Sequence, residues 1–142
     1  MQRITPFLWF DSNAEEAANF YLSVFKDAKI LRTRRWGEGE NGATGCVLTI
    51  DMQIHGQQFT AMNGGPHQQL SPAFSFVVPC ESQEEVDYYW DKLGADGKEL
   101  ACGWLTDKFG VSWQITPVRM LEMLFGEPEK SARAMNAMRE MI

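Results

Sequence analysis

The apolar positions change period along the chain, and each change marks an element. Ile4–Phe10 is a continuous apolar run ended by Asp11-Ser12-Asn13, which predicts a buried strand leading into a helix. Ala14, Ala17, Ala18, Tyr21, Val24 and Phe25 then recur at helical spacing as one stripe. Ser12 and Glu15 have the spacing of a capping box at the start of that helix. Ile30–Trp36 reads as a strand, and the glycine-rich Gly37–Gly45 as a loop. Cys46–Ile54 and Gln58–Asn63 read as two strands around a tight His55-Gly56 turn. Gly64–Pro72 is a linker.

The same order then repeats. Ala73–Cys80 predicts a strand, Ser82 and Glu85 a second capping box, and Val86, Tyr89, Trp90 and Leu93 a helical stripe broken by Gly94–Gly97. Lys98–Trp104, Leu105–Phe109 and Val111–Pro117 are the strand candidates that follow. Val118–Phe125 and Pro128–Ile142 read as a short and a longer helix.

The two halves superpose in register. Ser12 and Glu15 match Ser82 and Glu85 at an offset of 70, and the helix stripes match at 69. Gly56-Gln57-Gln58-Phe59-Thr60 matches Gly110-Val111-Ser112-Trp113-Gln114 at 54, as a shorter second half requires. Each half is a βαβββ unit, so the expected fold class is α+β. Its strands would form a curved mixed eight-stranded sheet with the helices outside and further helices at the C-terminus. The expected organisation is a single domain, with module one about 1–65, module two about 70–117 and a helical extension over 118–142. A concave sheet face is a natural cleft for a small molecule.

Composition narrows the function classes. The 142 residues are 44% hydrophobic and 23% charged, as in ordinary globular proteins. A net charge of −6 argues against nucleic acid or an anionic membrane as partner, since both select a basic face. No apolar run approaches the roughly 20 residues of a membrane helix, and the first ten residues lack the features of a signal peptide. Three cysteines with no CxxC pattern argue against a disulfide framework or zinc site. The expected compartment is therefore the cytoplasm.

The stretches Ile4–Tyr21, Phe59–Pro66, Ser75–Gly94 and Cys102–Pro117 resemble the vicinal oxygen chelate superfamily, which includes glyoxalase I and the extradiol dioxygenases. They are most similar to its PhnB-like subgroup, often labelled 3-demethylubiquinone-9 3-methyltransferase. The resemblance implies a paired βαβββ fold and, as in many relatives, a homodimer. It also implies that a divalent metal, where present, is held by His and Glu of the first and last strands of each module. The matching positions here are Thr5 (or Pro6, one residue on), Thr60, Ser75 and Gln114, of which the two Thr, the Ser and the Gln carry hydroxyls and an amide. Such groups are poor ligands for zinc, iron or nickel, so no metal and no other cofactor is expected.

The alternation places Phe59, Ala61, Trp113 and Ile115 toward the helices and Thr60, Met62, Gln114 and Thr116 toward the cleft. The cleft candidates are thus Thr5, Phe7, Thr60, Met62, Ser75, Gln114, His67 and Trp104. His55 is expected as a solvated turn residue, and the acids at the two helix starts as capping and dipole partners.

The expected function is binding of a small organic molecule, with or without metal-independent catalysis. One alternative is a metal-dependent lyase or dioxygenase that recruits His67 and Glu122. The other is the methyltransferase that the family label implies. Against it, the glycine-rich loop at Gly37 and the Gly64-Gly65 turn each lead into a strand, where a Rossmann-type cofactor site needs a helix.

Overall fold

The computed structural model describes residues 3–39, 44–124, 129, 132, 133 and 136. The chain divides into two compact units, Met1–Leu70 and Ser71–Ile142. All eight expected strands form, hydrogen-bonded as two mixed sheets of four. The fold is α+β, with paired βαβββ modules.

The first unit contains β1 (Phe7–Phe10), α1 (Ala14–Val24), β2 (Ala28–Arg35), β3 (Val47–Ile54) and β4 (Gln57–Asn63), with sheet order β1-β4-β3-β2. β1 runs parallel to β4, and the other pairs are antiparallel. Alternation buries Leu8, Phe10, Ile50, Met52, Ile54, Phe59 and Ala61 on one face, where the Ala14, Ala17, Ala18, Tyr21 and Val24 stripe of α1 packs. Three alanines in that stripe let the helix approach the strands closely. The β3–β4 turn has His55 at φ 47° and Gly56 at φ 84°, the paired positive values that suit the twist of a two-residue hairpin. As expected, His55 is an exposed turn residue; it also stacks edge-on against Phe25.

The start of α1 departs from the expected capping box. Its N-cap is Asn13, which makes no side-chain cap. Asn63 at the end of β4 takes over: its Oδ1 accepts the Ala14 N–H at 2.9 Å, and its Nδ2 donates to the Val47 carbonyl at 3.2 Å. The partner comes from 49 residues away, so no local pattern announces it.

The second unit contains β5 (Ser75–Cys80), α2 (Gln83–Gly94), β6 (Lys98–Glu99), β7 (Trp104–Thr106), β8 (Ser112–Pro117) and α3 (Val118–Leu124). Its order, β5-β8-β7-β6 with β5 parallel to β8, repeats the first sheet. Here the capping box begins as predicted, with the Ser82 hydroxyl accepting the Glu85 N–H at 3.2 Å. Val78, Cys80, Tyr89, Leu93, Leu105, Trp113 and Ile115 are all buried.

Strands β6 and β7 are shorter than expected. Cys102 and Gly103 take positive φ of 64° and 79° and turn the chain before Trp104. Asp107 then ends β7. One carboxyl oxygen, Oδ1, accepts the backbone N–H groups of Phe109 at 2.9 Å and Val111 at 3.1 Å. Oδ2 accepts the indole N–H of Trp113 at 2.9 Å. This buried carboxyl fixes the turn into β8. The longer expected helix, Pro128–Ile142, falls largely outside the described residues.

The sheet registers preserve the offsets read from the sequence. Phe7 is the partner of Thr60, and Val77 is the partner of Gln114. Phe7 to Val77 is again 70, and Thr60 to Gln114 is 54.

Candidate functional site: a polar concavity on the first sheet

In the first unit, α1 covers one sheet face and leaves Thr49, Asp51, Gln53, Gln58, Thr60 and Met62 on the other by strand alternation. On this face lies a concavity of about 550 Å³, lined by Arg3, Thr5, Arg32, Asp51, Gln58 and Thr60 among others. Asp51 organises it. The Thr60 hydroxyl donates to Asp51 Oδ1 at 2.7 Å, and Arg32 donates to Oδ2 from Nε at 3.0 Å and Nη2 at 2.7 Å.

The strands dictate this cluster. Asp51 is the register partner of both Arg32 on β2 and Thr60 on β4, so three side chains meet across three adjacent strands. The side chains of Arg32 and Asp51 are 80% and 25% exposed, and such a pair adds about 1 kcal/mol or less to stability. Aspartate is also disfavoured within strands. Fold stability therefore does not explain a carboxylate at the centre of β3.

In the second unit, Gln114 Nε2 donates to Ser75 Oγ at 2.9 Å. Trp104 is the register partner of Gln114, just as Asp51 is of Thr60. The position that carries a charged organiser in the first module thus carries an indole in the second. Neutral Ser–Gln pairing replaces the Arg–Asp–Thr network.

The expected site residues fall accordingly. Thr5 and Thr60 line the concavity. Phe7 is exposed beside Thr60, and Met62 follows it on the same face, half-buried. Ser75, Gln114 and Trp104 group in the second module. Of the residues expected on the helix side, Phe59, Ala61, Trp113 and Ile115 are all buried. Thr116, expected toward the cleft, is also buried, at 7% exposure. His67 is exposed in the turn after β4 and does not line the concavity, and Glu122 is exposed on α3.

Asp51, Arg32, Arg3 and Gln58 were not among the site candidates expected from the sequence. The available signal was Asp51 itself, a carboxylate between Ile50 and Met52 at a non-core position of a strand. Among the described residues, no three His, Cys, Asp or Glu side chains are grouped to hold a metal ion. The hydroxyl and amide groups at the positions matched to the superfamily's ligands do not fit such an ion.

Paired βαβββ modules with one parallel and two antiparallel strand pairings each define a glyoxalase-type fold. The model of the family described as 3-demethylubiquinone-9 3-methyltransferase matches residues 2–116, and the chain belongs to this PhnB-like family. It is 26% identical to the protein YjdN of Escherichia coli (strain K12) over 141 residues, covering 82% of this chain and 95% of that protein. The PhnB protein from Bacillus cereus is 38% identical, with a TM-score of 0.72 over 82% of this chain and 99% of its own. The genomically encoded fosfomycin resistance protein FosX from Listeria monocytogenes, in complex with Mn(II) and sulfate, shares the fold at 14% identity. Its TM-score is 0.55 over 93% of this chain and 95% of its own. Among the described residues, no helix is long and apolar enough to cross a membrane.

Proposed function

We propose that the chain binds a small polar organic molecule on the first sheet, in the concavity organised by Asp51, without a chelated metal. The observation that carries this reading is the Arg32–Asp51–Thr60 network, held by strand register on a face that α1 leaves uncovered. Concave sites with a few convergent polar groups are the usual form of small-molecule sites. The hydroxyl and amide positions of the two modules support hydrogen bonding rather than ion coordination. The methyltransferase description is read as a family label: each sheet pairs one parallel with two antiparallel ladders, unlike the alternating parallel β/α unit that binds such cofactors.

The test is elemental analysis of protein purified without chelator or metal-affinity steps, with thermal shifts in Ni²⁺, Zn²⁺, Mn²⁺ and Fe²⁺. The expected result is no stoichiometric metal and no shift, because only a ligand of the native state raises its stability. Near-stoichiometric metal with a clear shift overturns the metal-free reading.

A homodimer in a reducing cytoplasm completes the proposal. Ile4 before and Phe7 within edge strand β1, and Phe74 before and Val77 within edge strand β5, are exposed large apolar residues at the same offset of 70. Open apolar edges favour association with another chain. Light scattering coupled to gel filtration reads the state directly, and a monomer across micromolar concentrations overturns it.

A further inference from the structure

The charges of the concavity narrow its ligand, on the reading that it is the binding site. Two guanidinium groups, Arg3 and Arg32, and one carboxylate, Asp51, line it, a local sum of +1 in a chain of net charge −6. Arg32 commits Nε and Nη2 to a single oxygen of Asp51. A guanidinium carries five N–H groups. The two bonds leave both hydrogens of Nη1 and one of Nη2 without an acceptor among the described residues.

Asp51 therefore positions Arg32 and uses two of its five N–H groups. The Thr60 hydroxyl occupies the other oxygen, Oδ1, and fixes the carboxylate plane, and the carboxylate fixes the guanidinium. A planar fork held in place by a second set of hydrogen bonds loses little entropy on meeting an oxyanion. Arg3 lies on the wall of the same concavity and adds a second cation. Thr5 and Gln58 supply neutral polar groups for the rest of a ligand.

We infer that the concavity takes a small organic acid. Its carboxylate or phosphate group sits on Arg3 and the free N–H groups of Arg32, and its uncharged polar part lies against Gln58 and Thr60. A charge-assisted hydrogen bond of this kind is worth about one to two orders of magnitude in affinity.

The test uses matched pairs: small hydroxy-carboxylates with their primary amides, and sugar monophosphates with the parent sugars. Binding is followed by backbone amide shifts of Asp51 and Thr60 and by the arginine Nε–H resonances. The acids are expected to bind and their neutral partners to bind at least tenfold more weakly. Arg3→Gln and Arg32→Gln are each expected to lower acid affinity about 10–100-fold, with the ligand-free melting temperature unchanged for Arg3→Gln and lowered only slightly for Arg32→Gln, which loses its exposed ion pair. The carboxylate and phosphate arms separately identify which anion fits. If amides and sugars bind as tightly as the acids, or both variants keep full affinity, the anion assignment is overturned while the concavity remains the site. If no member of any pair moves Asp51 or Thr60 at millimolar concentration, the concavity itself is rejected.

Discussion

Removing the carboxyl of Asp107 is the sharpest test of how the second module is held. Asp107 is 3% exposed and takes three donors: two backbone N–H groups of its own turn and the indole of the buried Trp113. Asp107→Ala strands all three. Each stranded donor costs about 1–3 kcal/mol where it is shut off from water. The Phe109 amide lies at a partly accessible position and regains part of that from solvent. The expected loss is about 3–5 kcal/mol, a large fraction of the roughly 5–15 kcal/mol of a typical domain. Asp107→Asn separates the contributions. Its oxygen still serves the two backbone groups, but its NH₂ then faces the Trp113 N–H, donor against donor, for a loss of about 1–3 kcal/mol. Urea unfolding followed by tryptophan fluorescence measures both, with midpoints read at unchanged slope. Combining Asp107→Asn with Trp113→Phe is expected to cost less than the sum of the single changes, because the lost bond is shared. A loss below about 1 kcal/mol for Asp107→Ala refutes the claim that this carboxyl anchors the β7–β8 turn.

Three further outcomes are expected. Asn63→Ala removes the acceptor at the start of α1 and a bond to Val47, and costs about 1–2 kcal/mol in chemical denaturation; no change would mean that another group caps the helix. Gly64→Ala places a Cβ inside the Trp9 indole, whose N–H is tied to the Gly65 carbonyl at 2.9 Å, so about 1–3 kcal/mol of overpacking is expected; a neutral outcome in thermal melting would show that Trp9 swings aside. Burial, and secondarily Glu85, raises the Cys80 thiol from 9.0 to about 11. In a thiol-labelling assay at pH 8, exposed Cys46 reacts in the native state and Cys80 only on unfolding. The protonated Cys80 is favoured by folding, so its contribution to stability is complete below pH 9 and declines as pH rises toward 11. Cys80→Ala is expected to flatten that part of the stability profile, and an unchanged alkaline slope contradicts the assignment.

The chain's own pattern determined the elements, their order and their faces. A strand side chain alternates and a helical one recurs every three or four residues, so Leu8, Ala17, Phe59 and Trp113 declare their burial locally. The duplication was equally legible: Thr60 and Gln114 occupy matched register positions at the offset counted from the sequence. What only the tertiary structure decided are the partners across strands. Asn63 rather than Ser12 caps α1 because β4 ends beside that helix start. Asp107 closes β7 because the indole of Trp113 comes back to meet it. Asp51 becomes the centre of a polar site because β2 and β4 flank β3 in a register that sets Arg32 and Thr60 opposite it. Periodicity is a property of one segment, whereas register is a property of a pair, and the candidate site of this protein is made of pairs.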